Sequence, residues 1–281
     1  DLGADVIKVE SPSGDTTRAL PPGPDAQRSA MFMNVNRGKR SIALDLKQEN
    51  ARAALLRLAE GCDVFVHSMR ARAIAKLGMA YADVRKVNPK LIYANLYGFS
   101  RNGPYADYPA YDDIVQAASG IVALQAQLSQ GVPTYVATVV ADKVAGLTAA
   151  YAIIAALYAR ERSGMGQEIE VPMFETLASF AMTEHLCGGL FDPPIGPTGY
   201  VRALSPERRP YRTKDGYIAV MIYNDRHWKN FFAAIGNPAW SQDPMFATLT
   251  SRTQNITAVL GQLAQVMLEL TTQEWMALFT K

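Results

Sequence analysis

Asp142 is the residue whose type and position most favour covalent chemistry. It follows the short segment 138–141 and precedes a long apolar, alanine-rich stretch that begins at Val144. An aspartate at the start of a helix is favoured as an N-cap, because its oxygens accept backbone N–H groups and the helix dipole stabilises its charge. A carboxylate held there in a cleft would also be ionised and oriented, as a nucleophile must be. The two roles are compatible, and the sequence leaves both open.

Three clusters of basic residues lie beside predicted strands and could bind an anion. They contain Arg18, then Arg37, Lys39 and Arg40, and then Arg70 and Arg72. Wound parallel sheets bind ligands at strand-to-loop junctions, and the planar guanidinium of arginine suits phosphate groups. Each cluster alone could equally be solvated loop charge. Together the three clusters favour a phosphorylated ligand.

Several common kinds of site have no signature in the chain. The histidines (His67, His185 and His227) form no HExxH pattern, and GxSxG, P-loop and strand-linked GxGxxG patterns are absent. Cys62 and Cys187 lie far apart, which argues against a disulfide scaffold or a metal site and favours a reducing, cytoplasmic setting. With 28 basic and 26 acidic residues, the net charge of +2 predicts no nucleic-acid partner.

The first half of the chain alternates strand and helix patterns. Strands are predicted at residues 6–9, 41–46, 62–67, 91–96 and 167–171, and helices at 48–60, 76–87, 113–124, 142–160 and about 172–185. Strands that alternate with helices at this spacing predict a parallel, wound α/β sheet. The uncharged, alanine-rich run 144–159 has 16 residues, fewer than the roughly 20 of a membrane span, so it predicts a buried core helix and no membrane partner.

The last third of the chain has a different character. A Pro/Gly-rich linker at 191–199 precedes a predicted β-hairpin over 211–223 with a glycine turn. Helical patterns follow near 225–235, 251–269 and 272–280, and Thr271 with Glu274 forms a predicted capping box at the last one. We therefore expect a second, smaller α/β unit, with the boundary near residues 187–200.

Eight segments in order carry a resemblance to a known family. They are DLGADVIKVE (1–10), GDTTR (14–18), NRGKRSIALD (36–45), DVFV (63–66), GFSRNGPY (98–105), YDDIVQAASG (111–120), ADK (141–143) and GMGQ (164–167). Their order over residues 1 to about 175 resembles the class III CoA-transferase family, which includes formyl-CoA transferase, carnitine CoA-transferase and α-methylacyl-CoA racemase.

The resemblance implies a fold, a reaction and a set of site residues. The fold is α/β, with a wound, Rossmann-like, CoA-binding large domain (1–190), a small α/β domain (200–281) and an interlocked homodimer. The reaction moves CoA from an acyl-CoA to a small carboxylic acid through an acyl-aspartyl anhydride and an aspartyl-CoA thioester on Asp142. CoA is then a co-substrate, with no tightly bound cofactor and no metal. The implied CoA contacts are Arg18, Lys39, Arg40, Arg70, Lys76 and Tyr111.

The chain departs from the family pattern in three places. Residues 68–72 read Ser-Met-Arg-Ala-Arg instead of Asn-Phe-Arg-Pro-Gly, so the wall on the adenine side is expected to differ. Residues 204–210 lack the glycine run that covers the active site of formyl-CoA transferase; the arginines there would meet an acidic substrate or be solvated. Both ends are short by comparison, so an N-terminal strand and a C-terminal segment are expected to be missing.

Two other functions stay open. Racemase members of the family use a histidine at the position of Tyr111, and a tyrosine, with an ordinary pKa near 10, is a poor substitute for that acid/base group. A non-catalytic CoA-binding protein is the remaining alternative. We favour the transferase.

Overall fold

Short β-branched segments form parallel strands in the first half of the chain. The computed structural model describes residues 2–129 and 131–280. The strands there are β1 (Ile7–Glu10), β2 (Arg40–Ala43), β3 (Val64–His67), β4 (Ile92–Tyr97), β5 (Gln167–Pro172), β6 (Tyr211–Arg212) and β7 (Tyr217–Ile218). β1 pairs with β2, and β4 lies between β3 and β5, all in parallel. The predicted α/β class and parallel pairing are confirmed, but the described parallel strands form two separate sheets instead of one.

Helices occupy most of the segments predicted from apolar periodicity. They are α1 (Ala30–Val35), α2 (Glu49–Glu60), α3 (Ala71–Lys76), α4 (Tyr81–Val87), α5 (Asp112–Ala118), α6 (Ile121–Leu128), α7 (Val140–Ser163), α8 (Met173–Met182), α9 (Asp225–Ala234), α10 (Leu249–Gln254), α11 (Ile256–Met267) and α12 (Thr272–Phe279). The predictions of one continuous helix over 76–87 and another over 113–124 are wrong, because a break separates two helices in each region. Gly78 and Gly120 adopt positive φ angles of 66° and 88°, which end one helix before the next begins.

Helix α7 differs from the buried core helix that the sequence predicted. By length and composition it could cross a membrane. Only 22% of its most apolar 18-residue window is buried, so it is not enclosed in the core. The buried positions are all small: Ala141, Ala145, Ala149 and Ala156. One face of α7 therefore packs on the protein and the opposite face is exposed.

The chain divides into two compact units. The first contains residues 1–111 and 141–176, and the second contains 112–140 and 177–281. The predicted boundary lay near residues 187–200. The structure instead groups residues 112–140 and 177–190 with the second unit. As a functional division, domains at 1–190 and 200–281 remain a prediction.

Each unit has its own apolar core. In the first unit, Tyr93 on β4 is buried with residues of α2 and α4 and donates its hydroxyl to the Met79 carbonyl at 2.6 Å. In the second unit, Trp228, Phe231 and Trp275 lie in an aromatic cluster beside the antiparallel β6–β7 hairpin. The predicted hairpin and the capping box at the start of α12 are confirmed.

Candidate active site

Asp142 lies in the first turn of α7, and its side chain is exposed. The helix begins at Val140, so Asp142 is the third helical residue and the prediction that it is the N-cap is wrong. In that first turn, the dipole of a 24-residue helix still favours negative charge. The chain therefore presents this carboxylate at the surface of the first unit.

Arg18 follows β1 on a short 3₁₀ turn (Thr16–Ala19) that begins at Asp15. Its Nε and Nη2 donate to the two Glu10 oxygens at 2.7 and 2.8 Å, and Nη1 donates to the Gln27 carbonyl at 3.3 Å. The guanidinium also stacks 3.9 Å from the centroid of the Phe32 ring. Three of its five N–H groups are thus bonded within the protein, which leaves two for a ligand.

Glu10 is the partner that the sequence analysis missed. Its side chain is 4% exposed and also accepts from the Ser41 hydroxyl at 2.7 Å and the Asp15 N–H at 3.0 Å. The hydrogen bonds from Arg18, together with those from Ser41 and Asp15, lower the pKa of Glu10 from 4.5 to about 2, although burial opposes the shift. The only sequence signal was a carboxylate at a strand end eight residues before an arginine.

Lys39 and Arg40 lie at the amino end of β2, away from the carboxyl end that Arg18 follows. Arg40 is in register with Ile7, whereas Glu10 lies at the other end of β1, beside Ala43. The Arg40 Nη2 is 2.5 Å from Asp5, with both side chains exposed, and the Lys39 Nζ donates to Asn36 Oδ1 at 3.0 Å. The first two basic clusters are thus bound to different partners at opposite ends of this sheet.

Arg70 and Lys76 lie at the two ends of helix α3. Arg70 is the N-cap residue, with its carbonyl accepting from the N–H groups of Ala73 and Ile74, and Lys76 lies in the last turn. Both side chains are exposed, and neither makes a hydrogen bond or ion pair within residues 2–129 and 131–280. Arg72, between them, pairs with Asp107 at 3.0 Å. Of the predicted CoA contacts, Arg70 and Lys76 therefore offer two uncommitted cations, about 9 Å apart along the helix.

Tyr111 ends the first segment (1–111) of the first unit, and the residue is 74% exposed. The loop before it passes close to Gly98, where a Cβ would stand 2.1 Å from the Ala110 Cβ, so only glycine fits there. All seven predicted site residues, including Tyr111, belong to the first unit.

His67 is a second residue whose position the sequence analysis did not use. It ends β3, and its Nδ1 accepts from the Met69 N–H at 3.1 Å, directly before Arg70. Burial lowers the pKa of His67 below 6.5, although Asn95 and the Met69 N–H oppose the shift. The signal was available as a histidine at a strand end, three residues before a predicted ligand contact.

The second unit contains an open cavity of about 420 Å³ beside the β6–β7 hairpin. Arg209 and Arg212 line it together with Tyr217 and Leu268, and Arg209 also pairs with Glu207 at 3.0 Å. Among the described residues, no group of three or more His, Cys, Asp or Glu side chains is placed to hold a metal ion. Both cysteines are free thiols.

Comparison with known proteins gives one consistent result. The family model described as CoA-transferase family III matches residues 1–281. Acetyl-CoA:oxalate CoA-transferase of Acetobacter aceti is 36% identical, over 100% of this chain and 72% of its own length. Succinate–glutarate CoA-transferase of Agrobacterium fabrum is also 36% identical, over 90% of this chain and 64% of its own length.

Solved structures agree with the sequence comparison. A crystal structure of Rv3272 from Mycobacterium tuberculosis superposes with a TM-score of 0.84 at 32% identity, covering 99% of this chain and 74% of that one. A CAIB/BAIF family protein from Brucella suis superposes with a TM-score of 0.78 at 30% identity, with the same two coverages.

Proposed function

The chain belongs to CoA-transferase family III, and we propose that it moves CoA from an acyl-CoA to a carboxylic acid through intermediates covalently bound to Asp142. The exposed position of this carboxylate in the first turn of α7 carries the proposal. An incoming thioester can reach it there, and the helix terminus stabilises the anion that nucleophilic attack requires.

The reaction proceeds by four exchanges in which no proton or water is consumed. An Asp142 oxygen attacks the thioester carbonyl carbon, a C–O bond forms, and the C–S bond breaks to release CoA thiolate. The thiolate then attacks the Asp142 carbonyl of the anhydride and expels the first acid. The acceptor carboxylate attacks this aspartyl-CoA thioester, and the released thiolate finally attacks the acceptor's acyl carbon. The products are the new acyl-CoA and free Asp142, so one difficult exchange is divided into easier ones.

Helix α3 provides the main proposed CoA contacts. The exposed charges of Arg70 and Lys76 suit the phosphates of CoA, since guanidinium and ammonium groups form charge-assisted hydrogen bonds with phosphate oxygens. Arg18 would add its two remaining N–H groups, with Lys39, Arg40 and Tyr111 as further contacts. Arg18 is the most constrained of these because Glu10 already holds it.

Small dicarboxylic acids are the proposed acids. Relatives at 34–36% identity are named for oxalate, for succinate and glutarate, and for mesaconate. The proposal for this chain is an acyl-CoA donor and an acceptor of that size and charge.

A second copy of the chain is the proposed partner for the exposed face of α7. Leu147, Tyr151, Ile154 and Tyr158 are each between 55% and 71% exposed and recur at helical spacing opposite the buried alanines. A continuous apolar stripe of this size on a soluble enzyme marks a surface that another protein covers. This supports the homodimer that the family resemblance implied.

The nucleophile is tested with Asp142→Ala and with Asp113→Ala as its matched control. Asp113 is also an exposed aspartate in the first turn of a helix, α5, but has no proposed role. With succinyl-CoA as donor and oxalate or glutarate as acceptor, we expect Asp142→Ala to lose at least about a thousandfold in kcat. CoA affinity should stay within about threefold of wild type, and Asp113→Ala should turn over normally.

Two further measurements separate the transferase from its alternatives. Hydroxylamine added during turnover should attack the activated Asp142 carbonyl, displace the acid or CoA bound there, and leave a hydroxamate on Asp142 in the wild type; position 142 of Asp142→Ala should carry none. Exchange of solvent deuterium into the α-carbon of an acyl-CoA, without transfer, would instead indicate a racemase. Unchanged transfer by Asp142→Ala would reject the proposed nucleophile.

A further inference from the structure

His67 holds the backbone at the point where β3 ends and the segment carrying Arg70 begins. Its Nδ1 accepts the Met69 N–H at 3.1 Å. A neutral imidazole whose Nδ1 is an acceptor carries its proton on Nε2, and burial keeps the ring neutral by lowering the pKa of His67. The His67 ring is therefore a fixed hydrogen-bond acceptor for the backbone N–H two residues further along the chain.

The imidazole packs against three aromatic rings. Its ring makes edge contacts with Phe65, Tyr93 and Tyr97, at centroid distances of 6.2, 5.3 and 6.1 Å. Its Nε2 is buried beside Asn95 and forms no well-made hydrogen bond within the described residues. A buried N–H without a partner is unfavourable. The ring thus keeps the hydrogen bond from the Met69 N–H to Nδ1 although its own buried Nε2–H is left poorly paired.

The segment between His67 and α3 has one tie at each end. The Met69 N–H is bonded to His67, and the Arg70 carbonyl accepts from the first turn of α3. Ser68 and Met69 are otherwise exposed. The direction in which Arg70 leaves the strand therefore depends on the peptide that His67 fixes.

We propose that His67 is a positioning residue for CoA, which sets the orientation of Arg70 and of the α3 segment that carries Lys76. The inference rests on the proposed function, because that function makes Arg70 and Lys76 contacts of the CoA phosphates. In this role His67 does not touch the substrate. It restricts the conformations of the loop before CoA binds, so that less conformational entropy is lost on binding.

The test uses His67→Asn and His67→Leu, two substitutions of nearly equal size and shape. In Asn, Oδ1 is attached to Cγ, as Nδ1 is in His67, so the acceptor lies at the same number of bonds from the backbone. An Asn oxygen readily accepts a hydrogen bond from the backbone N–H two residues further along the chain. Leu has the same branching and no acceptor. Both variants lose the ring contacts, so both unfolding midpoints should fall, and the fall should be larger in His67→Asn, whose amide lies among aromatic rings.

CoA affinity distinguishes the two variants. Measured by calorimetry with free CoA, the Kd should rise about five- to tenfold in His67→Leu, since one hydrogen bond of the bound geometry is lost. It should stay within about twofold of wild type in His67→Asn. The KM for acyl-CoA should follow the Kd, and kcat should be nearly unchanged in both. Equal affinity of the two variants would overturn the proposal.

The outcomes also separate this inference from the proposed function. A wild type that binds CoA without transferring it would reject the transferase, while the Leu–Asn difference in Kd would still decide the role of His67. A wild type that binds no CoA would reject both. If His67→Leu does not fold, His67→Phe, which keeps a ring without an acceptor, decides in the same way: a raised Kd supports the proposal and an unchanged Kd overturns it.

Discussion

At the scale of single residues, the sequence singled out cations but did not show their partners in the fold. Arg18 was singled out as a phosphate ligand, and it is held by Glu10 through two hydrogen bonds. That pairing depends on a turn at Gly14, where φ is 81°, which folds the chain back onto β1. The Ser-Pro-Ser-Gly segment at 11–14 indicates that the strand ends there, but it does not specify which side chains the turn brings together. The sequence placed Arg70 soon after β3, but it did not show the hydrogen bond from the Met69 N–H to His67 that comes just before it.

Glu10→Gln is expected to destabilise the protein by about 2 kcal/mol at pH 7, since the neutral amide offers Arg18 one accepting oxygen where the buried carboxylate offers two. The pKa of Glu10 is lowered from 4.5 to about 2, so its contribution is complete above pH 4.5 and is lost as the pH falls toward 2. The difference between variant and wild type in denaturant unfolding should therefore shrink over that range.

Asp25→Asn is the control for this prediction. Asp25 pairs with Arg28, but the two side chains are 42% and 58% exposed, and an exposed pair contributes little. Its loss should change the unfolding free energy by less than about 1 kcal/mol. Equal effects of Glu10→Gln and Asp25→Asn at pH 7 would contradict the importance assigned to burial of Glu10.

At the scale of elements, periodicity located the strands and helices but not every helix break or sheet partner. α2 (Glu49–Glu60) and β5 (Gln167–Pro172) match the predicted 48–60 and 167–171 within a residue at each end. The break at Gly120 was missed because the apolar pattern continues across it; only its φ of 88° ends the helix. Strand patterns show that a segment is extended but not its neighbour, so two sheets could not be distinguished from one.

Arg252 joins three elements of the second unit. It is 3% exposed, donates through Nη1 to the Phe246 carbonyl at 2.6 Å, and pairs through Nη2 with Asp225 at the start of α9. Its guanidinium also lies over the Trp228 ring. It therefore ties α10 to α9 and to the 3₁₀ turn at Pro244–Phe246.

Arg252→Met is expected to lower the unfolding free energy by about 2 kcal/mol, because the hydrogen bond to the Phe246 carbonyl is lost while most of the buried volume is kept. Arg226→Met, at an exposed position of α9, is the matched control and should stay within about 0.5 kcal/mol of wild type. Denaturant unfolding measures both variants. Equal stabilities would show that Arg252 contributes no net free energy.

At the scale of the whole molecule, the order of motifs predicted the family, and the match over residues 1–281 confirms it. The environment of α7 could not be predicted in the same way. An alanine-rich helix has no strong amphipathic pattern, because alanine is compatible with both a buried and an exposed face. The sequence therefore suggested burial on all sides, whereas only the alanine face packs within the chain.

The exposed stripe of α7 leads to a prediction about assembly. If a second copy covers Leu147 and Tyr151, the wild type should have a mass in solution of twice 30.7 kDa. Leu147→Glu would place a charge in that interface, and desolvating an unpaired charge is strongly unfavourable. We expect light scattering to show a 30.7 kDa species for this variant. Leu249→Glu, the same change at a half-exposed position of α10, should leave the dimer intact. A monomeric wild type, or one that floats with lipid vesicles, would show that α7 is not covered by a second copy.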